Sequence, residues 1–264
     1  TISEDNLFHP EPASEETILL THDSVYWEKL KRLDLTPKEI RKIGFPLSEI
    51  LIRRGTHISQ GTIQCALFAQ EFGVAMNVAG GTHHSFADHG EGFCILNDIA
   101  MASNYLLKNN LAKKILVVDL DVHQGNGTAR IFKNEERVFT FSMHGAKNYP
   151  TRKEQSDLDI GMPDKATDEE YLKILQETLP MLIDSVEPDF IFYLSGVDVL
   201  ETDKLGRLSM SMEGCKKRDA IVLNHCNKNK IPVAVSMGGG YSERIAHIVE
   251  AHANTFRLAQ EIYF

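Results

Sequence analysis

Residues 115–127 read ILVVDLDVHQGNG, and this stretch decides the fold class. Its first half, Ile115 to Asp119, is a short apolar and β-branched run of the kind found where both faces of a parallel sheet are covered. Its second half changes abruptly to acidic, histidine, amide and glycine residues. A buried strand that ends in this way is typical of open α/β sheets, in which ligands bind at the carboxyl ends of the strands.

Working outward, four more apolar runs predict strands, and each is followed by polar or glycine residues. The runs are Val74 to Val78, Val138 to Ser142, Phe190 to Ser195 and Val233 to Ser236. Helical patterns lie between them, at Thr62 to Phe72, Asn97 to about Lys108, a capping box at Thr167 and Glu170, Ser211 to about Cys226, and Ser242 to about Leu258. This alternation predicts an α/β fold with a mainly parallel sheet. The segment up to about Gln60 is predicted to be irregular, with short helical pieces near Thr36-Pro37 and Phe45-Pro46.

Composition excludes several classes of protein. Of the 264 residues, 42% are hydrophobic and 25% are charged, the balance of a globular chain. The net charge of −9 argues against general nucleic-acid binding, and no run of about 18 apolar residues is present to span a membrane. The four cysteines form no C-x-x-C pair, so they are expected to be reduced and not to form a zinc finger.

The residues from Thr1 to Asp5 are mostly polar and acidic, unlike a signal peptide, so the predicted location is cytoplasmic. No Lys/Arg-rich run of about five residues provides a nuclear address, although a nuclear location stays open for a eukaryotic source.

Asp121 and His123 are spaced to hold one metal ion. Residues two apart in an extended chain point to the same face, so a carboxylate and an imidazole can share a cation. Asp198, which follows another predicted strand, is the best candidate for a third ligand. Three such ligands with an open fourth position describe a catalytic Zn²⁺ site, with Fe²⁺ and Mn²⁺ as alternatives. Taken alone, D-x-D-x-H is as compatible with a turn of solvated acids.

His83 and His84 follow two glycines at the end of the first predicted strand. A neutral histidine near a metal can take a proton from water and return it to a leaving group. Asp119 is a candidate partner for one imidazole and Asn126 for the other, the alternative being two structural histidines bonded to the backbone. Tyr241 is a candidate donor to a developing oxyanion, or else a turn aromatic at the sheet edge. Together these groups describe metal-assisted hydrolysis, most naturally of an amide.

Four segments together resemble the zinc-dependent histone deacetylase family of the arginase/deacetylase superfamily. They are GGTHHSFADHGEGFCILND (80–98), ILVVDLDVHQGNGT (115–128), LSGVDVLETDKLGRLSMS (194–211) and SMGGGYS (236–242). The resemblance covers about Gly55 to Phe256. The Q-G-N-G version is similar to the class IV branch and its bacterial relatives, because most other branches have Asp where Asn126 stands. The implied fold is a single three-layer α/β/α catalytic domain over 1–264, with a central, mostly parallel sheet of about eight strands.

The resemblance implies a role for each matching position. The zinc ligands are Asp121, His123 and Asp198. The catalytic set is His83, His84 as general base and acid, Asp119 and Asn126 as their partners, and Tyr241, which polarises the scissile carbonyl. The substrate-binding set is Gly92 through its carbonyl, Phe93 and Tyr149 as tunnel walls, and Gly239. A structural K⁺ is implied at Asp119, Asp121, His123, Ser142 and Met143.

The implied activity is zinc-dependent removal of acetyl or longer fatty acyl groups from lysine side chains of a protein or peptide. The alternatives are a deacetylase of acetylpolyamines or other small amides, and a catalytically silent protein that binds acyl-lysine. An arginase-like dimanganese enzyme is disfavoured, because a second metal needs more aspartates near Asp198. Neither a nucleic acid nor a membrane is an expected partner, and the oligomeric state is left open.

Two departures from the family pattern carry expectations. Because Asn126 is not a carboxylate, the pKa of His84 is expected to lie lower than in branches with Asp at this position. The family's opening strand and its His- and Pro-containing loop have no clear match before Asn6, so an N-terminal segment is expected to be missing. The loop from Arg53 to Gln60 is expected to be short and to lack an acid that would hold a peptide backbone.

Overall fold

The computed structural model describes residues 4–264, apart from the side chain of Asp5, and within this range six strands and nine α-helices alternate. The strands are β1 (Val74–Asn77), β2 (Ile115–Asp119), β3 (Val138–Gly145), β4 (Leu158–Met162), β5 (Phe190–Leu194) and β6 (Val233–Ser236). The helices are α1 (Glu15–Ile18), α2 (Ser24–Lys31), α3 (Pro37–Ile43), α4 (Glu49–Phe72), α5 (Asp98–Lys108), α6 (Asn126–Phe132), α7 (Asp168–Val186), α8 (Met212–Asn229) and α9 (Ile245–Tyr263).

The strands form one sheet in the order β1-β6-β5-β2-β3-β4, and every pairing is parallel. Every residue of β2, β5 and β6 is buried. Because all strands run in the same direction, their carboxyl ends lie at one edge of the sheet. The predicted parallel α/β fold is therefore confirmed, and the polar segments that follow the strands share that edge.

Helices cover both faces of the sheet, as a three-layer α/β/α architecture requires. Along β2, Leu116 and Val118 belong to the apolar core under α7, α8 and α9, whereas Ile115 and Val117 belong to the core under α4 and α5. Successive side chains of a strand point to opposite faces, so one continuous apolar run serves both cores.

The expected sheet of about eight strands has six within residues 4–264, and one of these was missed. Strand β4 is at the edge of the sheet and exposes Asp159 and Gly161, so its sequence LDIGM does not form an apolar run. Strand β3 also extends beyond Ser142, because β4 pairs with residues 141–145. Pairing with a neighbour therefore decided both features, and pairing is invisible in a local apolar pattern.

The prediction of an irregular segment up to Gln60 is wrong for α2 and from Glu49 onward, whereas the short helical piece predicted near Thr36-Pro37 is α3. Helix α4 begins at Glu49, where the Ser48 hydroxyl accepts a hydrogen bond from the Leu51 N–H at 3.2 Å, so the predicted loop from Arg53 to Gln60 is helical. The polar and glycine residues RRG at 53–55 conceal the apolar face, and a Cβ at Gly55 would lie 2.9 Å from Ile95. Close packing of this kind stabilises helices more than local propensity does.

The remaining helix predictions are largely confirmed. Asn97 caps α5, accepting a hydrogen bond from the Ala100 N–H at 3.0 Å, and capping boxes begin α3 and α7. Helix α9 begins at Ile245 and not at Ser242, whose hydroxyl pairs with that of Thr202 at 2.8 Å. All four cysteines are free thiols.

Within the described range, no helix combines the length and apolar character needed to cross a membrane. Most of the polar opening from Thr1 to Asp5 lies outside the described residues, as does anything that would precede it. The expectation of a missing N-terminal segment therefore stays an expectation.

A buried guanidinium group stabilises the carboxyl ends of the two central strands. The side chain of Arg218, on α8, is fully buried and forms an ion pair with Asp219 at 2.7 Å. It also donates hydrogen bonds to the carbonyls of Leu120 at 3.2 Å and of Gly196 at 2.5 Å. Leu120 directly follows β2 and Gly196 is the second residue after β5, so one cation ties the two central strand ends together.

Replacing this cation should strongly destabilise the protein. We expect Arg218→Met to lower the free energy of unfolding by about 3–5 kcal/mol, because the Asp219 charge stays buried without its partner. Urea unfolding followed by circular dichroism measures the change. The control is Arg32→Met, which removes an exposed ion pair with Glu28 and should change stability little. Equal effects of the two substitutions would contradict the supporting role of Arg218.

Candidate active site

The central strands bring three predicted metal ligands together. Donor atoms of Asp121, His123 and Asp198 all lie within 4.8 Å of one another. The Nδ1 atom of His123 is 3.0 Å from an Asp121 carboxylate oxygen and 3.1 Å from one of Asp198. Strands β2 and β5 are neighbours in the sheet, which explains why residues 75 or more positions apart in the chain meet.

Backbone groups hold both carboxylates in place. The Val122 N–H donates to Asp198 Oδ1 at 2.9 Å, and the Gly239 N–H donates to Asp121 Oδ2 at 2.8 Å. The other oxygen of each carboxylate faces His123. Such hydrogen bonds orient ligands before any ion arrives.

The chemistry of this donor set fits a divalent cation. Burial and the neighbouring Asp121 carboxylate raise the pKa of Asp198 above its usual value. Two buried carboxylates beside one imidazole therefore require added positive charge to remain ionised together. Two oxygen donors and one nitrogen donor suit Zn²⁺ and also Fe²⁺ or Mn²⁺.

The tandem histidines each have a different partner. His83 Nδ1 lies 2.6 Å from Asp119 Oδ2, and His84 Nδ1 lies 2.7 Å from Asn126 Oδ1, as the sequence predicted. Both rings are buried, and their centroids are 4.1 Å apart. The Nε2 atom of His83 lies 4.0 Å from Asp121, so the edge opposite Nδ1 faces the metal donors.

The two histidines differ in charge near neutral pH. Burial lowers the pKa of His83, but the adjacent Asp119 carboxylate outweighs this effect and raises the pKa to about 9. For His84, burial and the nearby His83 lower the pKa well below the usual value. The low pKa of His84 thus has burial as its main cause, and the comparison with branches that have Asp in place of Asn126 stays a prediction. The arrangement pairs a charged imidazole with a neutral one that can accept a proton.

A carboxylate that the sequence analysis missed lies beyond Asn126. Glu91 is only 5% exposed, and its Oε1 accepts a hydrogen bond from Asn126 Nδ2 at 2.7 Å. Its Oε2 lies 2.5 Å from Lys42 Nζ. In sequence, Glu91 stands between two glycines and is indistinguishable from a solvated turn residue. His84 therefore has no carboxylate in contact but has one next to its partner.

Aromatic rings surround His84 and the mouth of the site. The ring of Tyr149 packs edge-on against His84, with centroids 5.0 Å apart. Phe93 lies 5.0 Å from Phe45 and 6.3 Å from Tyr241, measured between centroids. Phe93, Tyr149 and Tyr241 are all partly exposed, so solvent reaches this rim. Tyr149 thus lies against His84 and Phe93 lies near Tyr241, and their lining of one common opening stays a prediction.

Two glycines in the site leave no room for a side chain. A Cβ at Gly92 would lie 2.6 Å from His84 Cδ2, and its φ of +54° also favours glycine. A Cβ at Gly239 would meet the Asp198 carboxylate, and its N–H already binds Asp121. Gly239 therefore lies beside the metal donors, and its contact with substrate stays a prediction.

The predicted K⁺ site lies on neighbouring strands. Asp119 and Ser142 are register partners on β2 and β3, and Met143 follows inside β3. The Ser142 hydroxyl pairs with His144 Nδ1 at 3.0 Å. The K⁺ at this place stays a prediction.

Comparisons with known proteins agree with this geometry. The sequence model of the histone deacetylase domain family matches residues 1–256. The chain belongs to this family. It is 43% identical over 99% of its length to an uncharacterized protein of Picosynechococcus sp., covering 87% of that protein. It is 28% identical to histone deacetylase 2 of Arabidopsis thaliana, over 94% of this chain and 66% of the relative. The structure of an HDAC homolog from Aquifex aeolicus superposes with a TM-score of 0.82 and 25% identity, covering 98% of this chain and 74% of that one.

The histone deacetylase domain has a further support that sequence reasoning missed. Asp98 accepts hydrogen bonds from the backbone N–H groups of Gly81 at 3.1 Å and Thr82 at 2.7 Å. It thereby holds the loop that carries both histidines. Its position in the first turn of α5 is explained by the helix dipole alone, so the sequence carries no signal for this second role.

Loss of one donor should weaken metal binding. We expect Asp198→Asn to lower the affinity for Zn²⁺ by more than the roughly 10–100-fold that loss of an outer hydrogen-bond partner causes. Competition with a chromophoric chelator measures the affinity without any substrate. Glu177→Gln, at an exposed acid of α7, is the matched control and should bind Zn²⁺ unchanged. Unaltered affinity in Asp198→Asn would place the metal elsewhere.

Proposed function

We propose that this chain is a zinc-dependent deacylase that removes acyl groups from lysine side chains of proteins or peptides. The proposal is carried by one observation: a buried His84 imidazole, engaged at Nδ1 by Asn126, whose ring centroid lies 6.0 Å from that of the donor His123. Burial also lowers the pKa of His84, which favours a neutral base. A binding protein has no need of an oriented base at this position, whereas hydrolysis does.

Each residue of the site has a separate role in the proposed hydrolysis. Zn²⁺, when bound, supplies Lewis-acid polarisation of the acyl carbonyl and lowers the pKa of water. His84 Nε2 accepts the proton of the attacking water, since Nδ1 is already engaged by Asn126. The Tyr241 hydroxyl donates to the carbonyl oxygen as negative charge develops there. The His84 imidazolium then returns its proton to the departing amine nitrogen. Buried His83, paired with Asp119, orients its neighbour and adds positive charge.

The aromatic residues Phe93 and Tyr149 favour a substrate with a narrow aliphatic chain that ends in an amide. Phe93 and Tyr149 offer aromatic surfaces to the methylene groups of an acylated lysine. The aliphatic part of a lysine side chain packs favourably along apolar surface. Acylation removes the lysine charge, so the substrate enters without a buried cation to neutralise. The acyl group is acetyl or a longer fatty chain, and the assay below distinguishes these lengths.

The first experiment is amine release from lysine peptides that bear acyl chains from acetyl to myristoyl. We expect turnover that a chelator abolishes and added Zn²⁺ restores, with one preferred chain length. Turnover of acetylpolyamines alone would reassign the substrate. If no amide is hydrolysed while Zn²⁺ still binds, the chain is a silent acyl-lysine reader, and His84→Ala should then leave peptide affinity unchanged.

Substituting the proposed base and donor should impair catalysis and spare the metal. We expect His84→Ala to lower kcat by about 10²–10⁴-fold, the usual contribution of a positioned acid–base group. Tyr241→Phe should lower kcat by about 10²–10³-fold, as loss of an oxyanion donor does. Both variants should bind Zn²⁺ like the parent. His9→Ala, at an exposed histidine, is the control and should keep full kcat.

A further inference from the structure

Glu91 is a buried charge that the proposed mechanism does not use. Its carboxylate is close to four side chains: Asn126 Nδ2 at 2.7 Å, Lys42 Nζ at 2.5 Å, His89 Nε2 at 3.8 Å, and Tyr149. A buried carboxylate requires such partners to remain ionised. Two of the four, Asn126 and Tyr149, also contact His84.

We propose that Glu91 is a positioning residue: it fixes the Asn126 amide so that His84 carries its proton on Nδ1 and presents Nε2 to the metal donors. The kinetic part of this inference rests on the proposed deacylase function, whereas the part that concerns the His84 tautomer does not.

The Asn126 amide can face His84 with either its oxygen or its nitrogen. The oxygen and nitrogen ends of Asn126 have nearly the same shape, so a rotation of the group exchanges acceptor and donor. With Nδ2 facing His84, the Nδ1 atom of the imidazole would have to accept, and its proton would move to Nε2. That tautomer offers no lone pair for abstracting a proton from water.

Glu91 removes the ambiguity because a carboxylate only accepts hydrogen bonds. Asn126 must therefore turn Nδ2 towards Glu91 and Oδ1 towards His84, and these are the observed contacts. Burial raises the pKa of Glu91, but the neighbouring His89, Lys42, Tyr149 and Asn126 side chains outweigh it and hold the pKa well below the usual value. The carboxylate is thus ionised at neutral pH and keeps this direction.

Tyr149 is a second neighbour of His84 that interacts with the Glu91 carboxylate. The Tyr149 ring stands perpendicular to the His84 ring, with centroids 5.0 Å apart. Tyr149 also interacts with Glu91, which raises the pKa of its hydroxyl, so one carboxylate is next to both the partner at the His84 Nδ1 edge and the ring packed against His84. A side chain that only closed a surface turn would not contact both neighbours of the base.

The competing explanation is structural. Lys42 lies in the last turn of α3, and the N–H groups of Gly92 and Phe93 bond the carbonyls of Lys42 and Ile43. The Glu91–Lys42 ion pair would then serve only to attach this loop to α3. Lys42→Gln breaks the ion pair and leaves the contact between Glu91 and Asn126, so it separates the two explanations.

The decisive measurement is the ¹⁵N spectrum of the histidine side chains in the full, Zn²⁺-loaded chain, with the His84 signals assigned from His84→Gln. We expect the parent and Lys42→Gln to show His84 protonated on Nδ1. Glu91→Gln, which can donate as well as accept, should give a mixture of tautomers and a kcat lowered by about 10–100-fold at nearly constant KM. Lys42→Gln should keep kcat within about twofold.

Exchanging the carboxylate and the amide between positions 91 and 126 provides a rescue experiment. Asn126→Asp alone places two carboxylates at a 2.7 Å contact and should lower kcat. The Glu91→Gln/Asn126→Asp double variant restores one acceptor for His84 and one donor behind it, so His84 should return to the Nδ1 tautomer with a kcat above that of either single variant. If Glu91→Gln does not fold, Glu91→Gln/Lys42→Gln, which removes both charges, takes its place with the same expected mixture.

The outcomes separate this inference from the proposed function. An unchanged His84 tautomer in Glu91→Gln overturns the positioning role, and so does an equal loss in Lys42→Gln or a double variant no better than the singles. A tautomer mixture in a protein that hydrolyses no acyl-lysine supports the positioning of His84 while the proposed function fails.

Discussion

The burial of two carboxylates side by side is the constraint on which the rest of this structure depends. Removing a carboxylate from water costs several kcal/mol, and Asp121 and Asp198 both occupy the end of the sheet with almost no exposure. Backbone N–H groups and His123 offset part of that cost, whereas the charge of Arg218, beneath the same strand ends, is already paired with Asp219. The remaining demand for positive charge is what suits this place to a divalent cation.

A second consequence is the unequal treatment of the two histidines. Both lie in the same buried loop, yet Asp119 stabilises the charged form of His83, whereas Asn126 offers His84 only a neutral acceptor. Asp119 has a carboxylate oxygen where Asn126 has an amide nitrogen. This difference in charge favours the imidazolium form of His83 and the imidazole form of His84. Pairs of groups whose pKa values are driven apart by their surroundings are the usual means by which a site combines an acid with a base.

Five of the six strands and most helices could be predicted because each is signalled by residues close together in the chain. Helix α5 shows this, since Asn97 and the apolar positions after it suffice. Strand β4 and the first half of α4 could not be predicted, because each is stabilised by a neighbour that no local pattern reveals. In the site, the resemblance to a family named the histidines, Tyr241 and the metal donors, whereas Glu91 and Asp98 had no signal.

By itself, the sequence determined that acidic, histidine and glycine residues follow successive buried strands, because chain direction and spacing are local properties. Only the tertiary structure decided which of these groups meet. Asn126 reaches Glu91 across 35 positions, and Arg218 reaches the carbonyl of Leu120 across 98. Such contacts are formed when parallel strands and their connecting loops pack, so their energy depends on distances that spacing along the chain does not encode.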